Sequence, residues 1–195
     1  MAADATDTTV AGALALKEWG AVARALLEGR QTVLLRKGGI HEKAFEVARD
    51  RFVVFPTVAH SHDERVRPEH RRMLQLGASD VDESTATFTV RCGVTLVAVV
   101  PVVRPAGLAA LDHLHIWTGQ HVQERLAFRP RHPLQVLVVR AVELPAPVWL
   151  PRLDAYHGCS SWVDLPLRWD GRAGRQAHPE RRLAADAADV RAAVG

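Results

Sequence analysis

Hydrophobic positions recur at helical spacing near the N-terminus and at strand spacing through most of the remaining chain. From Val10 to Glu28, Ala15, Trp19, Val22 and Leu26 fall on one side of a helical wheel, with Lys17, Glu18 and Arg24 elsewhere around it. This pattern predicts an amphipathic helix, and Gly29 is a residue able to take the left-handed conformation that ends one. Gln31 to Arg36 reads as a strand and Gly38-Gly39 as a turn or bulge. Two more short strands are expected around Phe45-Val47 and Phe52 to Phe55, separated by Arg49-Asp50, with Pro56 stopping the second.

The next segment, His60 to Gln75, is polar, and Pro68 suits the first turn of a helix. Asp80 to Ser84 reads as a loop. After Thr85 the chain alternates: Phe88, Val90, Cys92, Val94 and Leu96 share one face, and Thr87, Thr89, Arg91 and Thr95 the other. Such alternation marks a half-buried antiparallel strand. Val97 to Val100 is apolar on both faces, so either the strand enters the core there or Gly93 kinks it. A short helix is expected over Pro105 to Trp117, and Thr118 can cap another through Phe128. Leu134 to Leu144 reads as a central strand, with Pro145, Pro147 and Pro151 forming an irregular wall after it. A last strand is expected around Trp162-Val163, and a modest helix with Leu183, Ala187, Val190 and Val194 in line.

Length changes this picture little. A chain of 195 residues, 48% hydrophobic, can bury one substantial core. We expect a leader over residues 1–9, a single domain over 10–167 and a partly helical Ala/Arg-rich tail over 168–195. The charge of +3 invites a polyanionic partner, but its distribution is even. Residues 1–60 carry eight basic against seven acidic side chains, 61–150 ten against nine, and 151–195 seven against six. Global basicity therefore says little, and any anion site must be local.

Cys92 and Cys159 are the two cysteines, too few for a disulfide framework and without zinc-site spacing. The expected compartment is the cytoplasm, and the longest apolar run, Val94 to Val103, is too short to span a bilayer. No cofactor and no membrane partner are expected.

Four groups of residues offer chemistry. Arg36-Lys37-Gly38-Gly39 places two cations at a strand end beside flexible backbone, which is either an anion nest suited to phosphate or a tight basic turn. His60, His62 and Asp63 cluster beyond a strand, and with His113 or His115 they can hold a metal or act in acid/base chemistry; the alternative is a solvated loop. Arg65, Arg67, Arg71 and Arg72, with the basic segment Arg125 to His132, can track phosphates while Phe128 or Trp117 stacks a base. Equally, nearby Glu64, Glu69 and Glu124 can make them an ordinary surface. Cys159, beside Ser160-Ser161, is more simply structural than nucleophilic.

Five stretches taken in order resemble the bacterial family catalogued as domain of unknown function 1802. They are Leu16 to Trp19 as L-K-E-W, Leu34 to Ile40 as L-L-R-K-G-G-I, Phe52 to His60 as F-V-V-F-P-T-V-A-H, His115 to Trp117 as H-I-W, and Gly158 to Leu165 as G-C-S-S-W-V-D-L. The resemblance spans about residues 14–166 and implies no particular activity or cofactor. Ser61 departs from it, standing where the family pattern has Gln. Residues 29–36 are also locally similar to the ASCH group of PUA-like domains, whose first strand carries G-x-K-x-x-E-x-R. Gly29 and Arg36 match that pattern, whereas Gln31 and Leu34 replace its Lys and Glu, so the likeness bears on fold alone.

The expected architecture is thus α+β: a mixed, mostly antiparallel sheet, partly rolled in the PUA-like manner, with the first helix packed on it. The leading functional expectation is a domain that binds RNA, DNA or a phosphate-bearing small ligand through Arg36, Lys37, Gly38, Gly39, Arg65, Arg67, Arg71 and Trp117. The competing expectations are a metal-assisted hydrolase or phosphodiesterase using His60, His62 and Asp63, and a regulatory module that docks a partner on the proline-rich stretch 145–151.

Overall fold

A computed structural model describes residues 12–37, 45–58, 63–158, 160–171 and 174–195. Gly38, Gly39, His60, His62 and Cys159 lie outside these residues. The described chain forms β1 (Ala13–Trp19), α1 (Gly20–Leu27), β2 (Val33–Arg36), β3 (Arg51–Thr57), α2 (Arg72–Ala78), β4 (Val81–Asp82), β5 (Thr87–Pro101), α3 (Gly119–Ala127), β6 (Gln135–Pro151), β7 (Trp162–Leu165) and α4 (Glu180–Val194). The sheet runs β2-β6-β5-β3-β1-β7, with β4 added to the end of β5. Among these strands β1 and β3 pair parallel and the other pairs are antiparallel. This is the mixed, mostly antiparallel α+β architecture that the alternating pattern predicts.

The expected helix over Val10 to Glu28 is a strand followed by a helix. Leu14, Ala15 and Leu16 are consecutive and largely buried because β1 pairs on both sides, with β3 and with β7. Two-sided pairing outweighs the helical spacing, and the helix begins only at Gly20. Its face is almost wholly buried, and it crosses α2 at very close range. A Cβ on Gly77 would stand 2.2 Å from the backbone nitrogen of Ala21, so backbone fills the space a side chain would need.

Three other local expectations are corrected. Phe45 to Val47 joins no strand ladder, and Phe45 packs on Trp162. Pro56 does not stop β3, which continues to Thr57 beside β1. The proline-rich wall is the far half of β6. Register with β5 passes from Cys92↔Glu143 to Val90↔Val148, so Leu144 to Pro147 bulge opposite Arg91 alone. Pro145 and Pro147 sit where no ladder hydrogen bond is required of them, as prolines within sheets must. In β5, Val97 and Val99 face outward while Ala98 and Val100 are buried, so alternation persists through an irregularity in register between Leu96 and Ala98; Gly93 leaves room for Trp169, whose ring a Cβ would meet at 2.4 Å.

The sheet is curled, and one side chain demonstrates it. Between β2 and β1 lie β6, β5 and β3, four strand spacings, or about 19 Å if the sheet were flat. Yet Arg36 at the end of β2 donates from Nη1 to the Lys17 carbonyl of β1 at 3.2 Å and to Glu18 Oε2 at 3.0 Å, and from Nη2 to Ser161 Oγ beside β7 at 3.1 Å. Such contacts require the two ends of the sheet to roll toward each other into a partial barrel. The larger hydrophobic cluster fills the inside of that roll under α1 and α4, and a smaller one around Phe55, Phe88 and Tyr156 covers the other face. The helix α4 contributes Leu183, Ala187, Val190 and Val194 to buried positions.

Candidate anion-binding cleft

At the seam where the sheet closes lies a cleft of about 430 Å³, lined among others by Lys17, Arg36, Lys37, Arg65, Glu124 and Arg125. Each of its cations arrives by a different route. Lys17 comes from β1, and Arg36 and Lys37 from the end of β2. Arg65 is placed by a short antiparallel bridge between Val66 and Trp117, reinforced by hydrogen bonds from Thr118 N to Arg65 O and from Arg67 N to Ile116 O. That bridge holds Arg65 against the start of α3, where Thr118 accepts a hydrogen bond from His121 N as the helix cap. The cap fixes the phase of α3, so that His121, Glu124, Arg125 and Phe128, spaced three to four residues apart, form one wall of the cleft.

The hydrogen bonds sort these cations into supports and donors. Arg36 is largely spent on Glu18, Lys17 O and Ser161, with its guanidinium over the Phe45 ring at 5.2 Å. Glu18, 4% exposed, supplies the countercharge from below. Lys37 Nζ donates to the Leu126 carbonyl near the end of α3, and burial pushes its pKa down. An ammonium has three donors, of which this bond uses one. Arg125 donates from Nε to His121 Nε2 at 3.1 Å and from Nη1 to Leu35 O at 2.7 Å, and stacks over Trp117. These bonds use two of its five N–H donors. Arg65 is only loosely held, its Nε 4.0 Å from both Glu64 and Glu124.

His121 receives the Arg125 donor, so its Nε2 is an acceptor and its Nδ1 faces Glu124 Oε2 at 3.5 Å. Burial, aided by the Arg125 charge, pushes its pKa down to about 4, and the imidazole is neutral at pH 7. Glu124 is held low, first by the Gln120 hydrogen bond and then by His121. Among the described residues, five cationic side chains and one carboxylate thus line the cleft.

The structure brings together only part of the set expected from sequence. Arg36, Lys37 and Arg65 converge. Arg67 does not line the cleft: it turns to Glu69 and the His115 carbonyl. Arg71 is exposed ahead of α2, away from the cleft. Trp117, 1% exposed, lies beneath Arg125 and packs edge-on to Trp19, so it offers no face to a base, whereas Phe128 at the rim is 48% exposed. Asp63 is an exposed residue of a 3-10 turn. His113 and His115 do not share a face: His113 ends a 3-10 segment and is exposed, while His115 is extended and buried. Burial, with the Arg67 charge, pushes His115 down to about 3. Among the described residues no group of three or more His, Cys, Asp or Glu is placed to hold a metal ion.

Lys17, Glu18, His121 and Ser161 are the site residues the sequence pattern concealed. Lys17 and Glu18 were hidden by the helical reading of β1. His121 had a legible signal, since it stands at the third position after the Thr118 cap, four residues before Arg125 and seven before Phe128. Gln31, in the place of the ASCH-group lysine, faces inward and is spent on Ile116 N and Val33 O.

Topology and cleft together define a curled, mostly antiparallel α+β domain with a cationic pocket at its seam. The chain belongs to the family described as Domain of unknown function (DUF1802), whose profile matches residues 15–189. Among curated proteins none matches. Similar solved structures are ASCH from Zymomonas mobilis, at 15% identity and TM-score 0.46 over 78% of this chain and 86% of that one, and a serine-to-alanine mutant of the same protein, at 12% identity and TM-score 0.47 over 80% and 89%. Among the described residues no helix is long and apolar enough to cross a membrane.

Proposed function

We propose that the seam cleft binds a phosphate-bearing ligand, a nucleotide or nucleic acid. The observation that carries this reading is the convergence of Lys17, Arg36, Lys37, Arg65 and Arg125 from separate segments onto one concavity, in a chain whose net charge is only +3. Concentrating like charges in one place costs free energy in the empty protein, and an anion relieves that cost. Lys37 and Arg125 supply donors in a partly desolvated setting, where hydrogen bonds to phosphate oxygens are strong. Arg36, locked by Glu18, acts as the fixed wall against which they are arranged.

Equilibrium binding of inorganic phosphate, nucleotides and short single- and double-stranded oligonucleotides, repeated at rising salt, tests this reading. Phosphate-bearing ligands are expected to bind the wild type, and Arg65→Ala to weaken them about fivefold to tenfold, the worth of one charge-assisted hydrogen bond. Affinity no better than that for an equally charged sulfonated polymer, and indifferent to Arg65→Ala, overturns it.

A further inference from the structure

Among these cations stands one carboxylate, and its setting names the ligand more narrowly. Glu124 lines the cleft from the α3 wall, next to Arg125 in sequence and about one turn before the rim residue Phe128. Although half exposed, it is oriented: Gln120 Nε2 donates to Oε1 at 3.0 Å and His121 Nδ1 stands 3.5 Å from Oε2. Arg65 is 4.0 Å away and does not engage it closely. A carboxylate fixed in this way has acceptor lone pairs left over and no proton to give. It repels a phosphate and welcomes a hydroxyl.

Two arginines close in sequence to Arg65 do not extend the pocket into a track for a polymer. A chain of phosphates needs a basic track leading away from the pocket. Arg67 is turned to Glu69 and the His115 carbonyl, and Arg72 faces Glu28 at 3.9 Å. What the cleft offers is a set of cations that includes Lys37, Arg65 and Arg125, one oriented acceptor, and one exposed aromatic face on Phe128, in a volume of about 430 Å³. That is the size of a small-ligand pocket.

Resting on the phosphate reading above, we infer that the cleft is selective for a free ribonucleoside monophosphate, with its phosphate on Lys37, Arg65 and Arg125, a ribose hydroxyl on Glu124, and its base against Phe128. Phe128 stacks any base, since every base has a flat face. Discrimination is therefore in the sugar, and it comes from Glu124.

Isothermal titration of the full chain with AMP, 2′-deoxy-AMP, 3′-deoxy-AMP, inorganic phosphate and hexa-adenylate RNA provides the test. AMP is expected to bind tightest, at least one deoxy form about tenfold weaker, as loss of a hydrogen bond to a charged acceptor implies. Glu124→Ala, on the exposed side of a helix and so compatible with folding, is expected to erase that difference while leaving deoxy-AMP bound as well or better. Were Glu124 only balancing charge, its removal would shift AMP and the deoxy forms by the same factor, and the inference would fall. Equal affinity of the wild type for AMP and both deoxy forms also overturns it, and so does hexa-adenylate binding tenfold tighter than AMP. Phosphate binding without nucleotide binding removes this inference and leaves the phosphate reading standing, whereas no binding of any probe removes both.

Discussion

A carboxylate taken out of water costs several kcal/mol unless a partner compensates it, and at Glu18 that partner is Arg36 at 3.0 Å. The pair does more than neutralise itself, because Arg36 also ties β2 to β1 and to Ser161. Glu18→Ala leaves the Arg36 guanidinium buried without its countercharge and is expected to destabilise the protein by about 3 kcal/mol in urea unfolding. The double change Glu18→Leu with Arg36→Met is expected to cost less than the single one, and the reverse order would contradict the pairing. His115 and His121 make a second residue-scale prediction. Both are lowered from 6.5, to about 3 and about 4, so between those values and 6.5 the unfolded chain binds more protons than the folded one. Their contribution to stability is therefore complete above about pH 6.5 and is lost as the pH falls through 6.5 toward 4, at no more than about 1.4 kcal/mol per pH unit for each histidine. Urea midpoints between pH 7 and pH 5 are expected to fall less steeply in the His115→Gln/His121→Gln variant than in the wild type; parallel slopes would contradict the assignment.

At the scale of elements, α1 and α2 are locked together by a close crossing. Gly20 and Gly77 face each other there, a Cβ on Gly20 standing 2.6 Å from the Gly77 carbonyl oxygen. The contact is backbone to backbone, so no side chain can move aside. Gly77→Ala is expected to cost at least 2 to 3 kcal/mol, about the upper range of overpacking, and to lower the thermal midpoint correspondingly, while Gly119→Ala, where a Cβ meets nothing within 4 Å, leaves it unchanged. Alternation made β5 legible in the sequence, Thr118 made α3 legible, and the apolar run from Leu134 marked β6. Where the reading failed, a long-range partner decided the outcome. β1 became a strand because β3 and β7 flank it, and β6 passed its prolines because a bulge against Arg91 excused their missing N–H groups. Local pattern carries no record of either partner.

For the molecule as a whole, the even charge count along the chain conceals a strong local imbalance. Folding collects cations from residues 17, 36, 37, 65 and 125 at one seam. Arg36-Lys37 and Arg65 were visible as basic positions in the sequence, but their convergence was not, because it depends on the roll of the sheet that brings β2 back to β1. Trp117 is buried, and Phe128 is the exposed ring at the cleft. A site assembled this way has a fixed address, which separates it from diffuse attraction between arginines and polyanions. The direct test is to titrate the isotope-labelled protein with inorganic phosphate and follow its ¹H–¹⁵N amide and arginine side-chain signals. Saturable shifts confined to residues 36–37, 65 and 121–128 are what the cleft predicts; shifts that are absent, or centred on arginines elsewhere such as Arg49, Arg51 and Arg71, would contradict it.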